Sequence, residues 1–240
     1  MTVLGASILW FGWFGLNAGS ALGANALAAS AFVVSQAAAA AATVSWVLME
    51  WKFNGKPTVL GAVSGCIAGL VAITPAAGFV EPLPAIIIGL IGGGICYFAV
   101  AVLKDKLGYD DSLDAFGIHG IGGTWGSLAT GLWATTGVNP AGANGLFYGE
   151  TDLFVAQVIS TVVAYALAIV GTFILFKIVS AICDVRADES EELAGLDIVE
   201  HGERGYGRSV VGGTIMGSFE DSSEMLANTV MKVNAKGGTI

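Results

Sequence analysis

The chain has 240 residues, 55% of them apolar and only 12% charged, and its mean hydropathy is +0.75. A soluble domain carries roughly 25% charged residues, so this composition excludes a water-soluble globule. The net charge of −9 excludes a nucleic-acid binder, although most of the acidic residues lie near the C-terminus and say little about the apolar part.

Six apolar segments, roughly 2–21, 25–50, 57–78, 82–103, 111–136 and 152–182, are each long enough as helices to cross a bilayer core. None alternates with the period of two that a barrel strand needs. The first segment lacks a basic leader, and its centre, Trp10-Phe11-Gly12-Trp13-Phe14, is too bulky for a signal peptide, so it reads as a span. The expected architecture is an all-α polytopic membrane domain over 1–182 and a cytoplasmic tail over 183–240.

Glycines recur at a spacing of four: Gly61, Gly65 and Gly69, then Gly89 and Gly93, then Gly122 and Gly126. Such rows let helix backbones approach closely in lipid. The segment from Thr74 to Pro84 holds three prolines and reads as a rigid connector, and Asn139 to Gly145 is rich in turn formers. Cys66, Cys96 and Cys183 show neither metal-ligand nor disulfide spacing and read as small packed hydrophobes. No cofactor or metal motif is present in the sequence.

Basic residues set the expected orientation. Lys52 and Lys56 follow span two, Lys104 and Lys106 follow span four, and the rest end span six or lie beyond it. Connections after spans one, three and five hold no Lys or Arg. The positive-inside rule then places both ends of this chain in the cytoplasm of a multi-pass protein of the cell membrane.

One stretch carries chemistry: Asp110-Asp111-Ser112-Leu113-Asp114-Ala115-Phe116-Gly117-Ile118-His119-Gly120-Ile121-Gly122-Gly123. An ionisable group at membrane depth costs about 2.5–3.5 kcal/mol or more, so His119 points to function. If the helix starts at Asp111, His119 falls two turns inside it. The alternative for His119 is a packing residue between glycines. Asp110 and Asp111 read as helix caps favoured by the helix dipole, whereas Asp114 reads either as a cap or as a support for His119. An enzyme built on His119 and Asp111 lacks a nucleophile, a cofactor motif and metal spacing.

Five stretches, in order, resemble the C-terminal half of the Amt/Mep/Rh ammonium transporters. They are Trp13 to Ser20, Ala72 to Gly78, Asp110 to Gly123, Gly131 to Ala134, and the tail stretch Gly195 to Gly207. The likeness covers about residues 1–207. It implies six of the eleven helices of an inverted-repeat fold, assembled as a homotrimer in the bilayer with one narrow pore per subunit.

The resemblance also implies roles. His119 would line the pore midpoint and take part in parting ammonium from its proton, so that neutral ammonia crosses the apolar stretch. Ser20 would sit at the external recruitment site. Leu9, Trp13, Asn17, Ser64, Ile67 and Thr74 would line or flank the pore, each otherwise an ordinary interior residue, and Asp111 and Asp114 would support it. Leu16 stands where the family usually has a gate phenylalanine, and it offers no π face to a cation. Glu200, Glu203 and Arg204 in the tail would make regulatory contacts, including with a trimeric nitrogen-regulatory signal protein, or else form a solvated charge cluster; His201 reads as a surface residue. The family's second pore histidine and an external aromatic gate belong to an N-terminal half that this sequence does not contain. The expected function is therefore transport of ammonium/ammonia completed by such a half. The alternative is a non-transporting remnant or an ammonium-sensing membrane module.

Overall fold

The computed structural model describes residues 1–203, 205, 210–211 and 214–215. Contacts divide the chain into one unit over Met1–Thr172 and another over Phe173–Ile240. The division falls inside the last long helix.

In the first unit, α1 runs Thr2–Gly19, α2 Ala26–Asn54 and α3 Val59–Ile73. Next come α4 (Pro82–Phe98), a π-helical segment Ala99–Leu103 and α5 (Lys104–Leu107) in one continuous rod. A second π segment, Phe116–Gly120, leads into α6 (Ile121–Trp133), and α7 covers Asp152–Ser180. Three of these rods, Ala26–Asn54, Pro82–Leu107 and Asp152–Ser180, are long and apolar enough by themselves to cross a membrane, and Val59–Ile73 is a shorter apolar helix.

Local chemistry sets the ends. Asn25 caps α2 by accepting from the Ala28 N–H at 2.9 Å, and Gly55 ends it in the left-handed conformation at φ 78. Thr58 caps α3 through the Gly61 N–H. The Glu50 carboxylate accepts from both the Thr58 N–H and its hydroxyl at 2.8 Å, tying the end of α2 to the start of α3. Proline opens α4, where its missing N–H is no loss.

The core forms where α2 lies against α3 and α4. Its small-residue face (Val34, Ala38, Ala39 and Ala42) is fully buried. Glycines on the other two helices make that approach possible. A Cβ at Gly69 would stand 2.5 Å from the Ala38 carbonyl oxygen, one at Gly89 2.3 Å from the same oxygen, and one at Gly93 2.5 Å from the Ala42 oxygen. On α6, Gly126 sits equally close to the Ala72 carbonyl. In contrast, α7 buries none of its residues.

The structure departs from the expected fifth span. Residues 110–114 are not helical, and regular structure begins only near Phe116. Asp114 adopts φ 57, the left-handed region, which breaks any helix starting at Asp111. His119 therefore stands about one turn inside the helical segment, not two.

The second unit contains the end of α7 and two short helices, α8 (Glu189–Ala194) and α9 (Leu196–His201). A capping box between Asp188 and Glu191 opens α8. The loose segment expected over 208–240 lies almost wholly outside the described residues; within it, Val210–Val211 and Thr214–Ile215 pair as antiparallel strands.

Candidate functional site

His119 is carried by the π segment Phe116–Gly120, a geometry that recurs at functional sites. The segment can pack closely because Gly117 faces Val100 of the other π segment; a Cβ at Gly117 would stand 2.7 Å from the Val100 Cγ2.

Its lower end is held by carboxylates. Asp111 Oδ1 accepts from the Ala115 N–H at 2.8 Å, and Oδ2 accepts from the N–H groups of Phe116 at 2.9 Å and Gly117 at 3.4 Å. Asp114 pairs with the Lys104 ammonium. Its backbone closes the turn, with the Asp114 N–H donating to the Asp111 carbonyl at 3.1 Å.

Across from the segment stands α1. The Trp13 ring stacks on His119 with 6.4 Å between centroids and 25° between planes. The Trp13 indole N–H donates to the Thr74 hydroxyl at 2.8 Å, and that hydroxyl donates to the Leu70 carbonyl at 2.7 Å. Trp13 and Ile67 both pack against the cluster containing Val71, Cys96 and Ile118. Trp13, Thr74, Ile67 and His119 thus come from three separate rods to one side of the unit. Ser64 is buried within α3.

The remaining expected residues of α1 divide. Leu9 and Leu16 are 44% and 55% exposed. At spacings of four and seven, Leu9, Trp13 and Leu16 share one helix face. Asn17 is buried instead, and its amide donates to the Ser35 hydroxyl of α2 at 2.8 Å. The Ser20 hydroxyl is exposed and donates to the Leu16 carbonyl at 2.7 Å. Both Asn17 and Ser20 border a cavity of about 210 Å³ with Phe79 and Asn139.

His119 itself is exposed on an open groove of about 430 Å³ between α6 and α7. Hydroxyls line this groove and carry information that the sequence did not disclose. Thr124 Oγ1 lies 2.7 Å from the Tyr165 hydroxyl, and both contact the Gly120 carbonyl. Ser127 donates to the Gln157 side chain at 2.7 Å. Lys104 also escaped the sequence reading, because a basic residue in a loop signals orientation before it signals a contact.

In the second unit, Glu200 and Glu203 are exposed, and the expected partner Arg204 lies outside the described residues. Among the described residues, no cluster of His, Cys, Asp and Glu is placed to hold a metal ion.

A sequence model described as the Ammonium Transporter Family matches residues 1–206. This chain belongs to the ammonium transporter family. It is 57% identical over 205 residues to the ammonium transporter of Bacillus subtilis, a match covering 85% of this chain and 51% of that protein. It is 49% identical over 207 residues to the ammonium transporter Amt1 of Archaeoglobus fulgidus, covering 86% and 52% respectively. The crystal structure of Candida albicans Mep2 superimposes with a TM-score of 0.74 at 35% identity, over 83% of this chain and 45% of that one. The chain spans about half the length of the curated relatives it matches. Family membership accounts for the all-α polytopic membrane fold, and the relatives are named as transporters rather than as enzymes.

Proposed function

We propose that this chain supplies the His119-bearing half of a membrane pore for ammonium/ammonia, with both of its ends in the cytoplasm. One observation carries the reading: an imidazole and an indole lie near-parallel at 6.4 Å between ring centroids, the indole packs against the apolar cluster of Val71 and Ile118, and Thr74 fixes it. A cation entering a dry conduit pays heavily for lost hydration. Neutral ammonia does not, and a neutral imidazole can both donate and accept a proton there. His119 serves as that group. Trp13, Ile67, Thr74, Leu9 and Leu16 form the apolar wall on its own side. Ser20, at the far end of α1, offers the first hydroxyl to an arriving ammonium ion.

Because His119 lies on an open groove, the conduit requires further helices on that side. We propose that these come from a polypeptide resembling the other half of the relatives. The complete subunits assemble as a trimer, and the tail, through Glu200, Glu203 and Arg204, contacts a trimeric nitrogen-regulatory signal protein. The open groove also favours a second reading, a module that senses ammonium without conducting it.

The test is uptake of labelled methylammonium by cells lacking their own transporters. Residues 1–240 expressed alone should give no uptake. Co-expression with the first-half helices of a relative should restore it, and His119→Ala should abolish the restored signal. Undiminished uptake by His119→Ala in the co-expressed pair would refute the pore role, and binding without uptake would favour the sensor.

A further inference from the structure

We infer that Lys104 is a positioning residue for His119, acting through the turn at 111–114. Lys104 is the first residue of α5, at the end of the continuous rod Pro82–Leu107. Its ammonium donates to the Asp114 carboxylate and, at 3.3 Å, to the backbone carbonyl of Asp111. It therefore holds both ends of the turn at once. Side-chain exposure of 24% for both Lys104 and Asp114 strengthens the pair relative to a solvent-facing one.

The turn, in turn, sets the His119 segment. No side-chain cap comes from Ala115, the residue next to the segment. The N–H groups of Ala115, Phe116 and Gly117 are satisfied instead by the Asp111 carboxylate. The Ile118 N–H, one residue before the histidine, donates to the Asp114 carbonyl at 2.9 Å. Asp114 sits in the left-handed region, sparsely populated for a residue with a side chain. A bond from Lys104 to its carboxylate holds it there. Removing that bond loosens the turn that accepts from the N–H groups of Ala115, Phe116, Gly117 and Ile118, and so lets the segment shift together with the imidazole that stacks on Trp13. A role in membrane orientation alone would require only that Lys104 be basic and would leave the stack unaffected.

The first arm of the test uses the chain alone in lipid nanodiscs and does not depend on transport. Carbon-labelled histidine in a His201→Asn background leaves one imidazole signal, displaced by the ring current of Trp13; Trp13→Leu marks the unstacked position. Lys104→Gln and Asp114→Asn should each move the signal most of the way to that position. The double variant should move it no further than either single one, as expected for residues acting through one link. Lys104→Arg should stay near the parent signal. If Lys104→Gln does not fold, Asp114→Asn and Lys104→Arg decide the question. A parent-like signal in Lys104→Gln or Asp114→Asn, additive shifts, or an Arg variant as displaced as the Gln variant would overturn the inference.

The second arm rests on the transport reading. In the co-expressed pair, Lys104→Gln should lower the maximal methylammonium rate by about tenfold or more while the half-saturation concentration stays within about twofold. A changed half-saturation at full rate would count against positioning. If the parent pair carries no methylammonium, the transport reading fails, and the stacking signal still decides the role of Lys104.

Discussion

At the scale of single residues, a few hydrogen bonds hold the His119 side of the unit. The Trp13 indole N–H spends its one donor on Thr74, 61 positions away in the chain. Trp13→Phe should keep an aromatic face opposite His119 but lose that bond, at a cost of about 1 kcal/mol. Thr74→Val should cost more, because it also removes the bond from that hydroxyl to the Leu70 carbonyl, and the double variant should cost less than the sum of the two singles, measured by thermal denaturation in detergent. Fully additive losses would show that the two groups are not coupled. Asp111 carries more, because its carboxylate serves three N–H groups. Asp111→Ala should destabilise the unit by about 1–2 kcal/mol, the upper end of the usual capping range, read in the same way.

Helix packing is decided by glycines that meet backbone. Gly89→Ala would force a methyl group against the Ala38 carbonyl of α2. Overpacking of this kind costs about 1–3 kcal/mol, so the thermal midpoint should fall clearly. Gly123 offers the control, since nothing lies within 4 Å of a Cβ placed there. Gly123→Ala should stay within about 0.5 kcal/mol of the parent for this chain alone. Equal losses in the two variants would refute the packing account. The glycine rows are legible in the sequence because their spacing of four is a local property of any helix. The π segments are not, because an inserted residue is tolerated only where distant neighbours fit together, as Gly117 leaves room for the Val100 side chain.

For the whole molecule, the unburied surface matters most. All of α7 is free of buried residues, and α1 exposes Ile8, Leu9, Phe11 and Leu16. Lipid can cover such faces, but it cannot seal a conduit beside His119, which is exposed on the groove between α6 and α7. Adding the first-half helices of a relative should therefore raise the thermal midpoint of the assembly above that of residues 1–240 alone, read by the loss of soluble protein on heating in detergent. An unchanged midpoint would mean that the groove is not the contact face.

The sequence by itself determined the apolar rods, their number and approximate bounds, and the glycine faces, because hydropathy and helical spacing depend only on neighbours along the chain. It also marked Asp110 to Gly123 as the segment with chemistry, through the rarity of ionisable groups in such surroundings. Only the tertiary structure decided that Asp114 turns left-handed, that Lys104 clasps the turn, that Asn17 is committed to Ser35 and that Trp13 lies against His119. Those outcomes depend on which distant atoms arrive at the same place, and no local pattern encodes that.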